Sequence, residues 1–220
     1  MPGIKGLTIA IDGPAGAGKS TIARLLAQKL GYIYIDTGAM YRAVTLKALE
    51  YNLEDEEELQ ELARELDLQF VHLEGKPNRV LLDGDDITEE LRSQAVEDWV
   101  SIVASYPAVR RELVKQQKKL ARDGGVVIDG RDIGTVVLPD ADLKIFLTAS
   151  LEERAYRRWQ ERSEKGEQVN IEQVRDEMMR RDKLDTSREV SPLKKAEDAI
   201  EVDTTNLSEQ EVVDEIIEWC

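Results

Sequence analysis

The chain has 220 residues, of which 41% are hydrophobic and 34% are charged, and its formal net charge at pH 7 is −15. This composition is typical of a folded domain of ordinary size and excludes an intrinsically disordered chain. The excess of acidic residues argues against general binding to nucleic acid, whose phosphates would be repelled.

Two further features of the composition narrow the class of protein. No apolar run approaches the roughly 18 residues of a transmembrane helix, and the N-terminus does not resemble a signal peptide, so we expect a cytoplasmic protein with no membrane partner. The only cysteine is Cys220 and the only histidine is His72, which excludes an internal disulfide and a zinc site of these residue types. His72 lies in a strand-like stretch, where we expect a structural role.

The hydrophobic pattern predicts strands that alternate with helices along most of the chain. Short apolar runs predict buried strands at 8–12, 32–36, 125–129, 142–148 and 199–204. Apolar positions at helical spacing predict helices at 18–30, 55–66, 89–105, 107–122, 150–164 and 171–184, one that follows Thr37-Gly38 and one capped by Ser208. This alternation predicts a parallel sheet with helices on both faces and a ligand site at the carboxyl ends of the strands.

Residues 68–87 interrupt this pattern. Two strand-like runs at 68–73 and 79–82 are separated by a turn at 75–78, and Asp83-Gly84 is a typical hairpin dipeptide. We therefore predict an antiparallel lobe inserted into the α/β core.

The first strand leads into a glycine-rich loop at 13–21 with the sequence Gly13-Pro14-Ala15-Gly16-Ala17-Gly18-Lys19-Ser20-Thr21. Its glycines let the backbone turn tightly and point N–H groups at phosphate oxygens next to a helix N-terminus. Lys19 can reach the outer phosphates, and the Ser20 hydroxyl can ligate Mg²⁺. The loop is therefore predicted to bind a nucleoside triphosphate.

A second candidate element is the apolar strand that ends in Asp129. A carboxylate at this place can hold Mg²⁺ directly or through water, although the pattern alone is a weak signal. Arg131 and Asp132 follow at the mouth of the sheet. Arg131 can contact a phosphate, and Asp132 can accept a hydrogen bond from an exocyclic amine.

Arginines are concentrated late in the chain, at positions 154, 157, 158, 162, 175, 180, 181 and 188. Glutamates four residues earlier predict helical ion pairs for Arg157 (with Glu153) and Arg181 (with Glu177). The arginines at 154, 158 and 162 share one helix face, where like charges repel unless an anion or an acidic side chain lies against them. We therefore expect at least one of the three to contact a phosphate.

An arginine–carboxylate–arginine face is also predicted from Arg181, Asp185 and Arg188, and it could bind a phosphate and a sugar hydroxyl. The chain lacks the Asn-Lys-x-Asp motif that reads guanine, which argues against a regulatory GTPase. A phosphate-binding loop, a carboxylate strand and a late arginine-rich segment suit phosphoryl transfer to a small acceptor.

With these motifs the sequence resembles the bacterial cytidylate kinases, which have the P-loop fold of the nucleoside monophosphate kinases. The resemblance runs nearly end to end. Besides the loop, it rests on Asp36-Thr37-Gly38-Ala39-Met40-Tyr41-Arg42, Asp129-Gly130-Arg131-Asp132-Ile133-Gly134-Thr135-Val136-Val137, Lys144-Ile145-Phe146-Leu147, Glu152-Glu153-Arg154-Ala155 and Arg181-Asp182-Lys183-Leu184-Asp185-Thr186-Ser187-Arg188.

The resemblance implies an α/β fold: a five-stranded parallel P-loop core flanked by helices, an antiparallel lobe inserted in the monophosphate-binding region, and a short helical lid. On this chain the core would comprise 1–62, 106–157 and 189–220. The insert would comprise 63–105 and the lid 158–188. We use the names insert and lid for these two segments below.

The resemblance also implies transfer of a phosphoryl group from ATP to CMP or dCMP, with Mg²⁺ and by direct in-line attack. The residues that would bind ATP are those of the 13–21 loop, with Ser20 on the metal and Asp129 near it. The residues that would carry out transfer are Lys19, Arg131, Arg158 and Arg188. The acceptor would be bound through its phosphate by Arg42, Arg131 and Arg188, through cytosine by Ser101, Arg110 and Asp132, through ribose by Arg181 and Asp185, and near the attacking oxygen by Thr37.

Two alternatives remain at this point. One is another P-loop small-molecule kinase of the adenylate or shikimate type, against which the antiparallel insert and Asp132 argue. The other is a nucleotide-dependent switch that transfers no phosphate. We expect a monomer, because the pattern leaves no apolar stripe uncovered.

Overall fold

The structure is a computed structural model and describes residues 6–71 and 79–220. His72 and the turn predicted at 75–78 lie outside the described residues. The strands are, in chain order, β1 (Thr8–Asp12), β2 (Ile33–Asp36), β3 (Leu68–Val71), β4 (Arg79–Leu82), β5 (Asp85–Asp86), β6 (Val126–Gly130), β7 (Leu143–Thr148) and β8 (Ile200–Asp203). The α-helices are α1 (Lys19–Leu30), α2 (Thr37–Tyr51), α3 (Glu56–Glu65), α4 (Gln94–Val103), α5 (Pro107–Leu120), α6 (Leu151–Glu164), α7 (Ile171–Ser187) and α8 (Glu209–Ile217).

Five parallel strands form the central sheet in the order β2-β6-β1-β7-β8, as the alternating pattern predicts. β1 lies in the middle and pairs with β6 on one side and β7 on the other. Its β-branched residues suit this position, because a central parallel strand is covered on both faces. The parallel arrangement brings the carboxyl ends of β1, β2 and β6 to one edge.

Helices cover both faces of the sheet. Ile9 and Ile11 of β1 pack on one face in a cluster with Leu26 of α1 and Ile216 of α8. Ala10, between them, packs on the opposite face with a second cluster that includes residues of β2 and β6. Complete burial of each large aliphatic side chain contributes about 1.5–3 kcal/mol to folding, so these two layers hold the sheet in place.

The antiparallel lobe is confirmed as a small sheet in the order β3-β4-β5. Asp83 (φ 52°) and Gly84 (φ 92°) connect β4 to β5 in a tight turn with two left-handed residues. Such a turn matches the twist of the paired strands, which is why Asp-Gly favours hairpins. Leu82 of this sheet is buried in a third hydrophobic cluster together with Met40 of α2 and Leu113 of α5.

The single helix predicted at 89–105 was wrong, because two helical segments lie there. A 3₁₀ turn covers Glu90–Arg92, and α4 begins at Gln94 after Ser93, whose backbone is extended (φ −65°, ψ 149°). Serine favours this position before a helix. The break lets Leu91 and α4 reach the core separately, and Leu91 is buried.

A feature that the pattern did not predict is the π-helical turn at Ile133–Val137, directly after Arg131 and Asp132. The buried Asp12 carboxylate anchors it and accepts hydrogen bonds from the Ile133 and Gly134 amides, both at 2.8 Å. The end of β1 therefore fixes the segment that directly follows two predicted site residues, Arg131 and Asp132. Within residues 6–71 and 79–220, no helix has the length and apolar character to span a bilayer.

We predict that Asp12→Asn lowers the free energy of unfolding by about 1–3 kcal/mol. The asparagine oxygen can accept a hydrogen bond from only one of the two backbone N–H groups, and its NH₂ group would face the other. Urea unfolding at pH 7.5 measures the change; burial raises the pKa of Asp12 to about 6, so the wild-type carboxylate is ionised there. The control is Asp142→Asn, since the exposed Asp142 accepts one backbone N–H, that of Thr8 at 2.7 Å. Equal unfolding midpoints for the wild type and Asp12→Asn would contradict the prediction.

Candidate active site

The 13–21 loop has the backbone geometry of a phosphate cradle. Gly13, Gly16 and Gly18 have φ values of 148°, 76° and 86°. A Cβ atom on Gly13 would run into the carbonyl oxygen of Leu147 in β7. Gly18 is the N-cap of α1, and no side chain caps this helix end. The first amides of α1 are therefore available to an anion, and the helix dipole favours negative charge at the same place.

Lys19 folds back over this loop. Its Nζ donates to the carbonyl oxygen of Pro14 at 2.7 Å, and the residue is 6% exposed. Burial, followed by repulsion from Arg131, lowers the pKa of Lys19 to about 7. Negative phosphate oxygens next to the ammonium group would favour its charged form and raise this pKa again.

Asp129, at the carboxyl end of β6, lies next to the start of α1. Its carboxylate accepts hydrogen bonds from the Ser20 hydroxyl and the Tyr34 hydroxyl, both at 2.9 Å. Burial, followed by repulsion from Asp36, raises its pKa to about 6. The hydroxyl and carboxylate oxygens are the hard ligands that Mg²⁺ prefers.

This pair of oxygens fits a magnesium ion that takes most of its ligands from elsewhere. No group of three or more His, Cys, Asp or Glu side chains in the described parts of the chain could hold a metal by itself. Mg²⁺ in kinases uses one or two protein ligands and completes its shell with phosphate oxygens and water. Ser20 and Asp129 therefore suit Mg²⁺ that arrives with a nucleotide.

The start of α2 positions a second group of predicted residues. Asp36 caps the helix through the Ala39 amide at 2.9 Å, and its other carboxylate oxygen accepts from Arg42 Nη2 at 2.8 Å. The buried Thr37 hydroxyl donates to the backbone carbonyl of Asp129 at 2.7 Å. These bonds join the ends of β2 and β6 and direct Arg42 to the same edge of the sheet.

A buried ion pair joins Arg110 of α5 to Asp132. The distance from Arg110 Nη2 to Asp132 Oδ2 is 2.6 Å, and both side chains are less than a tenth exposed. Arg110 also donates to the Ala104 carbonyl at 3.1 Å and lies over the Tyr41 ring, 5.2 Å from its centroid. The second carboxylate oxygen of Asp132 has no hydrogen-bond partner in residues 6–71 and 79–220, so it can accept from a ligand. Ser101 lies half-buried in α4.

The predicted arginine–carboxylate–arginine face is partly assembled around Asp185 of α7. Arg131 Nε donates to Asp185 Oδ2 at 2.8 Å, and Arg188 Nη2 lies 3.4 Å from Asp185 Oδ1. Burial works against ionisation of Asp185, but Arg131 and Arg188 hold its pKa below the ordinary value. Arg181 does not join this ion pair and binds Glu97 of α4 instead, at 3.0 Å.

The arginines at one face of α6 all have acidic neighbours. Arg154 pairs with Asp182 at 2.8 Å, Arg158 with Glu161 at 2.8 Å, and Arg162 with both Glu167 at 2.7 Å and Glu177 at 2.9 Å. Arg154 also donates to the carbonyl of Ala15 in the phosphate loop at 3.1 Å. Acidic partners therefore relieve the repulsion, and a phosphate contact for one of the three stays a prediction.

Of the two helical ion pairs expected beside this face, one is confirmed. Arg157 binds Glu153 at 2.8 Å. The pair between Glu177 and Arg181 was wrong, because each finds a partner outside α7: Glu177 binds Arg162, and Arg181 binds Glu97.

Several arginine nitrogens around this edge are buried without a hydrogen-bond partner in the described parts of the chain: Nε of Arg42, Nε of Arg110, Nε of Arg181 and Nη2 of Arg188, the last of which has only its 3.4 Å ion pair with Asp185. Each belongs to a residue that the sequence predicts to bind the acceptor. A buried unpaired donor costs about 1–3 kcal/mol, and more where it carries charge, so an anion with several oxygens would stabilise the group. The arrangement is thus chemically suited to bind a phosphate-bearing ligand opposite the phosphate loop.

Sequence reasoning missed Asp12, Tyr34, Asp36 and Glu97 as contributors to this site. Asp36 lies inside a quoted motif, and the N-cap position before α2 was a usable signal for it. Tyr34 and Glu97 left no signal, because their roles depend on contacts with residues 95 and 84 positions away.

We predict that Gly13→Ala weakens binding of MgATP at least tenfold, because the methyl group would force the loop away from β7 and misdirect its amides. The matched control is Gly31→Ala. Gly31 also has a positive φ, 67°, but its Cβ would meet open space. This variant should lose about 1–2 kcal/mol of stability and keep its affinity for MgATP. Calorimetric titration of both variants measures the affinities, and equal weakening would contradict the prediction.

Similarity to known proteins extends over nearly the whole chain. A family model described as Cytidylate kinase matches residues 9–220. Cytidylate kinases from Bacillus pumilus (strain SAFR-032) and Bacillus subtilis (strain 168) are 57% and 56% identical to the chain over 216 residues, which are 97% of this chain and 96% of each relative. Among solved structures, an uncharacterized protein from Eubacterium ventriosum aligns over 98% of both chains with a TM-score of 0.51 and 15% identity, a likeness of fold alone. The chain belongs to the cytidylate kinase family.

Proposed function

We propose that the chain is an enzyme that transfers a phosphoryl group from ATP to CMP or dCMP and so forms ADP with CDP or dCDP. The observation that carries this proposal is the buried pair of Arg110 and Asp132 beside the unpaired arginine donors, across the sheet edge from the phosphate loop. The membership of the cytidylate kinase family supports the same reaction.

ATP is the donor in this proposal. The amides of the 13–21 loop and Lys19 hold its β- and γ-phosphates, and the Ser20 hydroxyl ligates Mg²⁺ with Asp129 next to it. When bound, Mg²⁺ neutralises charge on these phosphates. The hydrogen bonds of Lys19 with Pro14 and of Ser20 with Asp129 hold both groups at the loop.

The acceptor phosphate is bound by Arg42, Arg131 and Arg188, with Thr37 close to the attacking oxygen. During transfer Arg131, Arg188, Arg158 and Lys19 neutralise the charge that spreads over the moving phosphoryl group. Arginines in this role can contribute about 10³–10⁵ in rate. An ionised phosphate is already a nucleophile, so the mechanism needs positioning and charge neutralisation and no dedicated general base.

Asp132 supplies the selectivity for cytosine. Its second carboxylate oxygen accepts a hydrogen bond from the 4-amino group, whereas uracil presents a carbonyl there and is repelled. Arg110 and Ser101 bind other polar atoms of the base, and Arg181 and Asp185 bind the ribose. The ion pair with Arg110 keeps Asp132 oriented before the base arrives.

Adenylate and shikimate kinase activities are not favoured, because the curated relatives that match nearly the whole chain are cytidylate kinases. We propose that the protein acts in the cytoplasm as a monomer, with CMP and dCMP as its partners and without nucleic acid. The acidic net charge supports the exclusion of nucleic acid, whose phosphates it would repel.

The direct test is an assay of ADP release with MgATP across CMP, dCMP, UMP, AMP and shikimate. We expect CMP and dCMP to give the largest kcat/KM. Faster turnover of UMP, AMP or shikimate would refute the proposed specificity, and ATP hydrolysis without a phosphorylated acceptor would indicate the nucleotide switch instead.

We predict that Asp132→Asn narrows the preference for CMP over UMP by roughly tenfold or more, because an amide can turn its N–H₂ group toward the uracil carbonyl. The asparagine oxygen can still accept from Arg110, so the fold is retained. Asp132→Ala is a less informative variant, since it leaves the buried Arg110 without its acid and would cost about 3–5 kcal/mol of stability.

The ratio of kcat/KM for CMP to kcat/KM for UMP, compared between the wild type and the variant, tests this prediction. The KM for ATP is the internal control. If both monophosphates lose activity equally, Asp132 does not read the base.

A further inference from the structure

Glu97 is a mostly buried acid that links two predicted segments. It lies in the first turn of α4, within the insert, and its side chain is 16% exposed. Its Oε2 atom accepts from Arg181 Nη1 at 3.0 Å and lies 3.5 Å from Arg158 Nη2. Both arginines belong to the lid. One carboxylate therefore holds two lid arginines that come from different helices, α6 and α7.

Further polar contacts join the described residues of the insert and the lid, among them Arg92 Nη1, which lies 3.9 Å from Glu161 Oε1. Arg162 donates to the Gln94 amide oxygen at 3.2 Å, and Arg188 donates to the Ala104 carbonyl at 3.5 Å. None of the hydrophobic clusters in residues 6–71 and 79–220 has members from both segments: α4 packs with α2 and α5, and the lid packs around Val174 and Met178. Among the described residues, Glu97 is thus the residue of the insert that pairs with two lid arginines.

The charge at Glu97 also counteracts a repulsion that acts on Arg181. Arg131 lies close enough to Arg181 that, after burial, it is the main influence lowering the pKa of Arg181, and Glu97 and Asp185 oppose it. Burial works against ionisation of Glu97, but Arg181, Arg158 and Arg42 hold its pKa below the ordinary value. Without the acid at this position, Arg181 would lose its hydrogen bond to Glu97, and less negative charge would oppose the repulsion from Arg131.

We propose that Glu97 is a positioning residue of the acceptor site: it holds Arg181 beside the ribose and Arg158 beside the transferring phosphoryl group. This inference rests on the proposed function. Glu97 acts through the two arginines and does not itself touch a substrate. The opposite role would be an acid that competes with the substrate for these arginines, and the two roles predict opposite changes in CMP affinity.

The test compares the wild type with Glu97→Gln, which keeps the size of the side chain and removes its charge. We expect the dissociation constant of CMP, measured by calorimetry without ATP, to rise about tenfold, which corresponds to ~1.4 kcal/mol. KM for CMP should rise in parallel, and KM for ATP should stay within about twofold, because the phosphate loop is untouched.

A matched control is Glu167→Gln, which removes the charge of another lid acid bound to an arginine, Arg162 at 2.7 Å; Glu167 has no ion pair with the described residues of the insert. This variant should bind CMP as the wild type does. A double-mutant cycle with Arg181→Met adds a second readout. If Glu97 acts largely through Arg181, the double variant should bind CMP hardly more weakly than Arg181→Met alone.

Three results would overturn the inference: unchanged or tighter CMP binding by Glu97→Gln, equal losses for CMP and ATP, or additive effects in the cycle. Tighter binding would identify Glu97 as a competitor of the substrate. If Glu97→Gln melts below the assay temperature, Glu97→Asp tests the same question. The aspartate keeps the negative charge, but its side chain is one methylene group shorter and holds the carboxylate farther from the two arginines. If the wild type does not phosphorylate CMP, the proposed function fails; if it does and Glu97→Gln behaves like it, only the role of Glu97 fails.

Discussion

Three carboxylates at one edge of the parallel sheet are the constraint on which the rest of the structure depends. Asp12, Asp36 and Asp129 lie at the carboxyl ends of the adjacent strands β1, β2 and β6, and Asp36 is in register with Asp129. Each anchors a different piece of chain: the turn after β6, the start of α2, and Ser20 at the start of α1. Because these anchors share one edge, the donor and acceptor halves of the proposed site have a common rigid base.

The acids at this edge hold arginines in place, and this explains how an acidic protein can bind acidic substrates. Each predicted acceptor arginine is held by a carboxylate, such as Asp36 for Arg42 and Asp185 for Arg131, so the cations are already in place. The pairing is incomplete, because several guanidinium nitrogens remain buried and unpaired among the described residues. The remote charge is screened by salt beyond about 8 Å, so the local arrangement of cations governs binding.

The sequence predicted the parallel core, the antiparallel hairpin and the phosphate loop, because each depends on residues that are close together in the chain. Alternating apolar runs, Asp83-Gly84 and the glycines of the loop are local signals. The break at Ser93 and the π-helical turn at Ile133–Val137 depend on burial of Leu91 and on the Asp12 carboxylate, which come from distant elements. For the same reason the partners of the arginines on α6 and α7 could not be assigned: spacing suggested Glu177 for Arg181, but the fold brings Glu97 to it.

The polar seam between the insert and the lid has a thermodynamic consequence. Exposure of apolar surface is what gives a conformational change a large positive heat capacity, and exposure of polar surface contributes with the opposite sign. Opening a seam made of Glu97, Gln94 and their arginine partners would expose little apolar surface, so its enthalpy would change little with temperature. The free energy of opening this seam would then show little curvature with temperature, whereas the stability of the sheet beneath it has the curved temperature dependence of an ordinary hydrophobic core.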